Sequence, residues 1–190
     1  MSDHIILDIE TKTLLEGKKL TEMEVSCAVV YNVNDHKYSV YGDTKGELND
    51  LRNRIDLASR VTTWGGEKFD LPIIFNKPSF EETGVSRFKS DDLRRRVYLS
   101  QQLDPMQYDP NKHGGWSLDK VSKETLGVEG KSGNGKGAPA LYTQGLWGRL
   151  IDYCIQDVKL TRDLIWFADK YGYLLGADGM YARVGKDWLK

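Results

Sequence analysis

Residues 5–10 read IILDIE, a run in which apolar side chains occupy both faces of an extended chain. A strand of this kind is typical of the centre of a sheet that is covered by helices above and below. We therefore predict a central β-strand here. Because side chains alternate along a strand, Asp8 and Glu10 leave the same face, with Cα atoms about 7 Å apart.

The pair Asp8 and Glu10 has two interpretations. Burying a carboxylate between Leu7 and Ile9 costs free energy unless a cation neutralises it, and two carboxylates at this spacing can share one metal ion. Alternatively, the strand ends here and both acids are solvated. An acid-x-acid motif is too short and too common to decide between these interpretations.

The segments that follow predict an α/β fold. Residues 25–33 and 37–42 form an antiparallel hairpin with a polar turn, and residues 60–64 form another strand. Strands that come first in an antiparallel group and then alternate with helices predict a mixed sheet with helices on both faces. A first helix is predicted after the capping pair Thr44 and Glu47, with an apolar stripe of Leu48, Leu51, Ile55 and Leu57. Further helices are predicted over residues 91–102 and 146–170 and from Ser117 to near Gly127, and residues 70–75 are predicted to be helical or rich in turns.

The chain length and composition match one globular domain. The 190 residues are 39% hydrophobic and 29% charged, and the net charge of −1 predicts that any site for a polyanion is local. Cys27 and Cys154 lie in apolar runs without metal-ligand spacing, so we expect two buried free thiols and a reducing compartment. No signal peptide or apolar span of about 20 residues is recognisable, and we expect a cytoplasmic protein that does not contact membranes.

The last predicted helix carries Tyr153 and Asp157 four residues apart, and therefore on one face. Leu160 and Leu164 continue this stripe, which directs Asp157 towards the interior, where it needs a partner. A core tyrosine and an aspartate paired with arginine would explain the same pattern.

Asp70 follows Phe69 shortly after Gly65 and Gly66 end a strand. The ends of sheet strands are where α/β proteins usually place their binding and active sites. A capping or turn aspartate before Leu71 would explain Asp70 equally simply. The sequence nevertheless offers carboxylates from the first strand, a mid-chain turn and a late helix.

In this order, three segments resemble the exonuclease motifs of the DEDD superfamily, in the branch with tyrosine in the third motif: ILDIET, TWGGEKFDLPII and YCIQDVKLTRDL. The stretch SLDKVSKETLG, the Gly-Lys loop and ALYTQG resemble proofreading exonucleases related to the family B polymerase domain. The resemblance spans residues 4 to about 166. It departs from the family at Gly65, where relatives often have an asparagine that helps to hold the substrate or the turn.

This resemblance implies a ribonuclease H-like sheet, with antiparallel first strands and parallel later ones. It also implies an exonuclease domain over residues 1–170. Residues 171–190 match nothing in the family, and we expect them to form a C-terminal hairpin or tail of the same domain. The Asp178-Gly179 pair favours a tight turn in that hairpin. The implied activity is removal of nucleotides from the 3′ end of single-stranded DNA or RNA.

By the same resemblance, Asp8, Glu10 and Asp157 would bind a first divalent metal ion. Asp8 would bridge to a second ion that Asp70 reaches directly or through water. Ligand sets made only of oxygen favour Mg²⁺ or Mn²⁺. Tyr153 would orient the attacking water, since a phenol with an ordinary pKa near 10 is a weak base at neutral pH.

Substrate-binding residues are less strongly indicated. Thr11 follows the first motif and could donate a hydrogen bond to the terminal nucleotide, although an ordinary strand-end threonine explains it as well. Trp64 and Phe69 could stack on bases, but aromatic residues near a sheet edge more often belong to the core.

Several charged residues have weaker claims to a role. The arginine run at residues 94–96, with Lys131 and Lys136, could follow a phosphate backbone, but we favour a solvated surface. We expect His113 to lie on the surface, because the tyrosine position of the third motif is filled. Asp104 is a candidate for the end of the last strand near the site.

Other functions fit parts of the pattern. They are a catalytically silent nucleic-acid-binding module, a structure-specific endonuclease on the same fold, and a metal-binding α/β signalling or hydrolase domain. The sequence does not discriminate DNA from RNA, which share the scissile phosphate. It also leaves open whether the protein works alone, proofreads beside a polymerase or another replication or repair partner, or processes RNA.

Overall fold

The main sheet has five strands in a computed structural model that describes residues 3–77, 90–102, 114–128 and 137–189. The strands are β1 (His4–Thr11), β2 (Val25–Asn32), β3 (Lys37–Tyr41), β4 (Arg60–Thr63) and β5 (Ser90–Asp92), and their order is β3-β2-β1-β4-β5. The pairs β1–β2 and β2–β3 are antiparallel, whereas β1–β4 and β4–β5 are parallel. The predicted mixed sheet is therefore confirmed, with β1 at its centre.

Helices cover both faces of this sheet. They are α1 (Lys45–Leu57), α2 (Asp70–Phe75), α3 (Leu93–Ser100), α4 (Leu118–Leu126), α5 (Ala138–Thr143) and α6 (Trp147–Tyr171). Ile6 of β1 belongs to the core shared with α3, α4 and α6, whereas Ile5, Leu7 and Ile9 belong to the core shared with α1 and α2. Because side chains alternate along β1, Asp8 and Glu10 leave on the Ile6 side, towards α6.

The first helix follows its predicted signals in part. Thr44 caps α1 by accepting a hydrogen bond from the Glu47 amide, and Leu51 and Ile55 are buried. The prediction for Leu57 was wrong, because its side chain is 80% exposed. Leu57 is two residues beyond Ile55, which turns it about 200° around the helix and away from the core.

The predicted start of the helix at residue 91 was also wrong. Ser90–Asp92 is a short strand that pairs in parallel with β4, and α3 begins only at Leu93. The Asp92 backbone is extended, and its side chain caps α3 by accepting a hydrogen bond from the Arg95 amide at 3.1 Å. One residue therefore ends the strand and begins the helix.

The C-terminal segment forms the predicted hairpin, with β6 (Tyr173–Leu175) antiparallel to β7 (Tyr181–Arg183). Asp178 and Gly179 both adopt positive φ in the connection. Trp188 is completely buried in the same core cluster as α6, and the backbone amides of Trp188 and Leu189 donate to Asp169 Oδ1. The chain end is thus held firmly against the body of the protein.

Two further expectations concern the cysteines and the membrane. Cys27 and Cys154 are buried and free, as predicted. Among the described residues, no helix combines the length and the apolar character that crossing a lipid bilayer would require. Asp104, His113, Lys131 and Lys136 lie outside the described residues.

Candidate metal centre

An acid cluster forms where β1 meets α6. Asp8, Glu10 and Asp157 each offer a carboxylate oxygen, and these three oxygens lie within 4.8 Å of one another. Glu10 and Asp157 are buried, and Asp8 is half-buried. The strand supplies two of the acids from one face, and the helix packed on that face supplies the third. Folding therefore brings together residues that are about 150 positions apart in the chain.

The cluster fits a divalent cation by its chemistry. Three carboxylates at this separation repel one another, and partial burial strengthens the repulsion because the surroundings screen it less than water does. A cation among the oxygens would replace that repulsion with attraction. A ligand set of carboxylate oxygens alone matches the preference of Mg²⁺ and Mn²⁺ rather than of zinc.

Asp70 lies at the margin of this acid cluster. Its carboxylate is buried at the start of α2 and accepts a hydrogen bond from the backbone amide of Ile9, the residue between Asp8 and Glu10. Burial, together with the negative charge of Asp92 and a smaller effect of Asp157, raises the pKa of Asp70 to about 7. The group of oxygens within 4.8 Å of one another comprises those of Asp8, Glu10 and Asp157, so Asp70 stands outside it.

Gly66 gives Asp70 the room to occupy this place. A Cβ atom on Gly66 would lie 2.5 Å from Asp70 Oδ2 and 2.7 Å from Thr63 Cβ, closer than real contacts allow. Gly65 adopts a φ of +81°, a backbone conformation that glycine adopts readily and asparagine tolerates best among other residues. Glycine at this position therefore suits the turn.

Tyr153 is half-buried on α6, one helical turn before Asp157 and on the same face. This placement is consistent with the predicted position of Tyr153 beside the acid cluster. Its role towards water stays a prediction.

Cys154 contacts the acid cluster in a way that the sequence did not indicate. Its thiol donates to the Asp8 backbone carbonyl at 3.4 Å and lies 3.8 Å from Asp8 Oδ2. Burial raises the pKa of the Cys154 thiol, and its hydrogen bond with Cys27 and the charge of Asp8 act in the same direction. The protonated thiol therefore helps to orient the first acid of β1.

Asp92 is a second residue near the acid cluster whose role the sequence did not indicate. Its buried carboxylate accepts hydrogen bonds from the amides of Gly65 at 3.0 Å, Glu67 at 3.2 Å and Arg95 at 3.1 Å. Burial raises the pKa of Asp92, although these amides oppose the shift. Asp92 thus ties the end of β5 to the loop that leads into Asp70. An N-cap aspartate before a helix was the available sequence signal.

Replacing Asp92 with alanine should lower the free energy of unfolding by about 3 kcal/mol, because a helix cap is lost and two loop amides, one of them buried, lose their acceptor. Urea denaturation measures this change. Asp92→Asn keeps one acceptor oxygen and should lose clearly less stability. If the alanine variant unfolds at the wild-type urea concentration, Asp92 does not hold the loop as described.

The residues predicted to bind substrate are largely engaged within the protein. The Thr11 side chain is buried, and its hydroxyl donates to the Thr13 carbonyl at 2.8 Å. Trp64 is partly buried against the core beneath α6, and Phe69 is partly buried against the core beneath α1 and α2. These contacts match the alternative explanations given for all three residues, and their contact with substrate stays a prediction.

The arginine run is also engaged. Arg95 forms an ion pair with Glu67, and Arg96 forms ion pairs with Asp91 and Asp187. Arg94 donates to the Tyr98 hydroxyl at 2.8 Å. Intramolecular pairing of this kind favours a structural role for the run over a path for phosphates.

Comparisons with known proteins agree with this architecture. The family model of the RNase H superfamily matches residues 5–167. A comparison with curated proteins gives no significant match. Among solved structures, the family B DNA polymerase from the hyperthermophilic archaeon Pyrobaculum calidifontis is similar, with a TM-score of 0.59 and 15% identity over 90% of this chain and 24% of the polymerase. At this identity the likeness concerns the fold alone, and the chain spans about a quarter of the polymerase's length. The match to the family model covers most of the chain, which belongs to the RNase H superfamily.

Proposed function

We propose that this protein is a divalent-metal-dependent 3′-to-5′ exonuclease that hydrolyses phosphodiester bonds at the 3′ end of single-stranded DNA or RNA. The observation that carries the proposal is the acid cluster, in which oxygens of Asp8, Glu10 and Asp157 lie within 4.8 Å of one another. Membership of the RNase H superfamily supports nuclease activity. The ordered motifs around these acids support the 3′-to-5′ direction by their resemblance to DEDD exonucleases.

Asp8, Glu10 and Asp157 would hold one cation, and Asp8 together with Asp70 would hold a second. When bound, such cations supply positive charge that offsets the negative charge developing on the phosphate during hydrolysis. The raised pKa of Asp70 fits a carboxylate that a nearby cation would help to ionise.

The chain's own groups have distinct tasks in this proposal. The Ile9 amide holds the Asp70 carboxylate, and the Cys154 thiol holds Asp8, so that two acids are fixed before substrate arrives. Tyr153 would orient the attacking water by a hydrogen bond from its hydroxyl. The phenol hydroxyl is a hydrogen-bond donor, so orientation is the assigned role.

A labelled-strand assay tests this function. The purified protein is incubated with 5′-labelled single-stranded DNA or RNA and either Mg²⁺ or Mn²⁺, and product lengths are followed over time. The proposal expects products that shorten one nucleotide at a time and stop when a chelator is added. Internal product sizes would indicate an endonuclease, and binding without cleavage under both metals would indicate a silent binding module. Activity that persists in chelator would refute the metal-dependent mechanism.

A further inference from the structure

The start of α6 presents an exposed aromatic ring. Trp147 is the first residue of the helix, and 40% of its surface is exposed. The neighbouring Leu146 is exposed as well. The exposed part of the Trp147 ring is available to stack on a ligand.

Trp147 is held in place next to the end of β1. Its ring meets the Tyr142 ring edge-on, with centroids 5.3 Å apart. Tyr142 in turn donates to Asp43 at 2.8 Å and packs under Lys12, whose ammonium lies 5.4 Å from its ring centroid. Lys12 directly follows β1 and comes two residues after Glu10. A chain of contacts through Tyr142 and Lys12 therefore links the exposed ring to the strand that carries two acids of the cluster.

Arg149 adds a positive charge to the first turn of α6, about 200° around the helix from Trp147, so the two side chains flank the start of the helix on different sides. It is exposed, and within the part of the chain that the structure describes its guanidinium makes no hydrogen bond or ion pair. Arg149 precedes Tyr153 by four residues and Asp157 by eight, so these side chains follow one another along one side of α6. At the helical rise, Arg149 is about 12 Å and Trp147 about 15 Å from Asp157 along the axis.

We propose that the first turns of α6 bind the substrate strand, with Trp147 stacking on a base and Arg149 contacting a phosphate a few nucleotides from the 3′ end. This inference rests on the proposed function, because it assumes that the strand ends at the acid cluster. Aromatic side chains that stack on bases, together with cations that contact the phosphates, are the usual combination for binding single strands without sequence preference, since every base has a stacking face. Such a site accepts DNA and RNA alike.

Binding of a non-hydrolysable strand tests the proposal without requiring activity. A phosphorothioate-linked, fluorescent oligothymidylate of about ten nucleotides is titrated with protein in Mg²⁺, and anisotropy is measured. Trp147→Leu keeps an apolar contact with Tyr142 but removes the ring, and should weaken binding by about tenfold. Trp147→Phe should restore most of the affinity.

Trp166 provides the matched control, because it lies on the same helix with 38% of its surface exposed but near the opposite end. Trp166→Leu should bind the strand like the wild type. Arg149→Gln should weaken binding and reduce the slope of log affinity against log salt by about 0.7, the value expected for one lost phosphate contact. Lys159→Gln, an exposed cation on another side of α6, should leave that slope unchanged.

The outcomes separate this inference from the exonuclease proposal. If the Trp147 and Arg149 variants bind the strand like the wild type, the inference is wrong, even if 3′-end cleavage is observed. If the wild type binds the strand and the variants do not, while no cleavage occurs with either metal, the binding surface stands and the exonuclease proposal fails. In an active enzyme, Trp147→Leu should raise KM for long strands without lowering kcat, and should leave dinucleotide cleavage unchanged.

Discussion

Asp8→Asn is expected to reduce 3′-end cleavage by at least about 100-fold. Replacing even a residue that only supports a metal ligand typically lowers metal affinity or activity by about 10- to 100-fold, and Asp8 is a proposed ligand itself. Asp8 contributes to the oxygen cluster with Glu10 and Asp157, and it is the acid assigned to both cations. Initial rates on a 5′-labelled strand at saturating Mg²⁺ measure the effect. Asp152→Asn, which removes an exposed carboxylate from α6, serves as the control and should retain wild-type activity.

The same Asp8 variant distinguishes a metal ligand from a structural residue. In the absence of metal, removing one of three crowded charges relieves repulsion, so the variant should unfold at a urea concentration equal to or higher than the wild type. Adding Mn²⁺ should then stabilise the wild type more than the variant, since a ligand stabilises only the state that binds it. A variant that cleaves the strand like the wild type and gains as much stability from Mn²⁺ would exclude Asp8 from the metal centre.

Trp188→Ala is expected to lower the free energy of unfolding by about 3–5 kcal/mol, the usual cost of emptying a site filled by a buried aromatic side chain. The Trp188 ring is completely buried, with the Arg96 guanidinium 4.0 Å and the Arg60 guanidinium 5.5 Å from its centre.

Denaturation in urea with fluorescence and circular dichroism detection measures this loss. The adjacent Leu189 is 41% exposed, and Leu189→Ala should change stability only slightly. A Trp188 variant as stable as the wild type would show that the C-terminal segment contributes little to the core.

The sequence predicted the elements that carry the acid cluster because their periodicities are strong. The apolar run of β1 forces an alternation that sets Asp8 and Glu10 on one face, and the spacing of Tyr153 and Asp157 sets both on one side of α6. These periodicities did not predict that α6 packs on β1. The order of the motifs was the only sequence evidence for that packing.

Asp92 and Cys154 could not be assigned from the sequence because their contacts depend on tertiary pairing. The three residues of β5 have no apolar alternation, and they form a strand only by pairing with β4. Cys154 has the pattern of an ordinary core residue, and its contact with Asp8 exists only once the helix packs on the strand. The role of Asp70 was also undecided, since a turn aspartate and a site aspartate have the same local sequence.

The measurement closest to the central claim is a titration of the metal-free protein with Mn²⁺, followed by electron paramagnetic resonance of the free ion. Our account predicts saturable binding to the wild type that is strongly weakened in Asp157→Asn and unchanged in Asp152→Asn. Wild-type protein that leaves Mn²⁺ free, or an Asp157 variant that binds it as well as the wild type, would contradict the assignment of a metal centre to Asp8, Glu10 and Asp157.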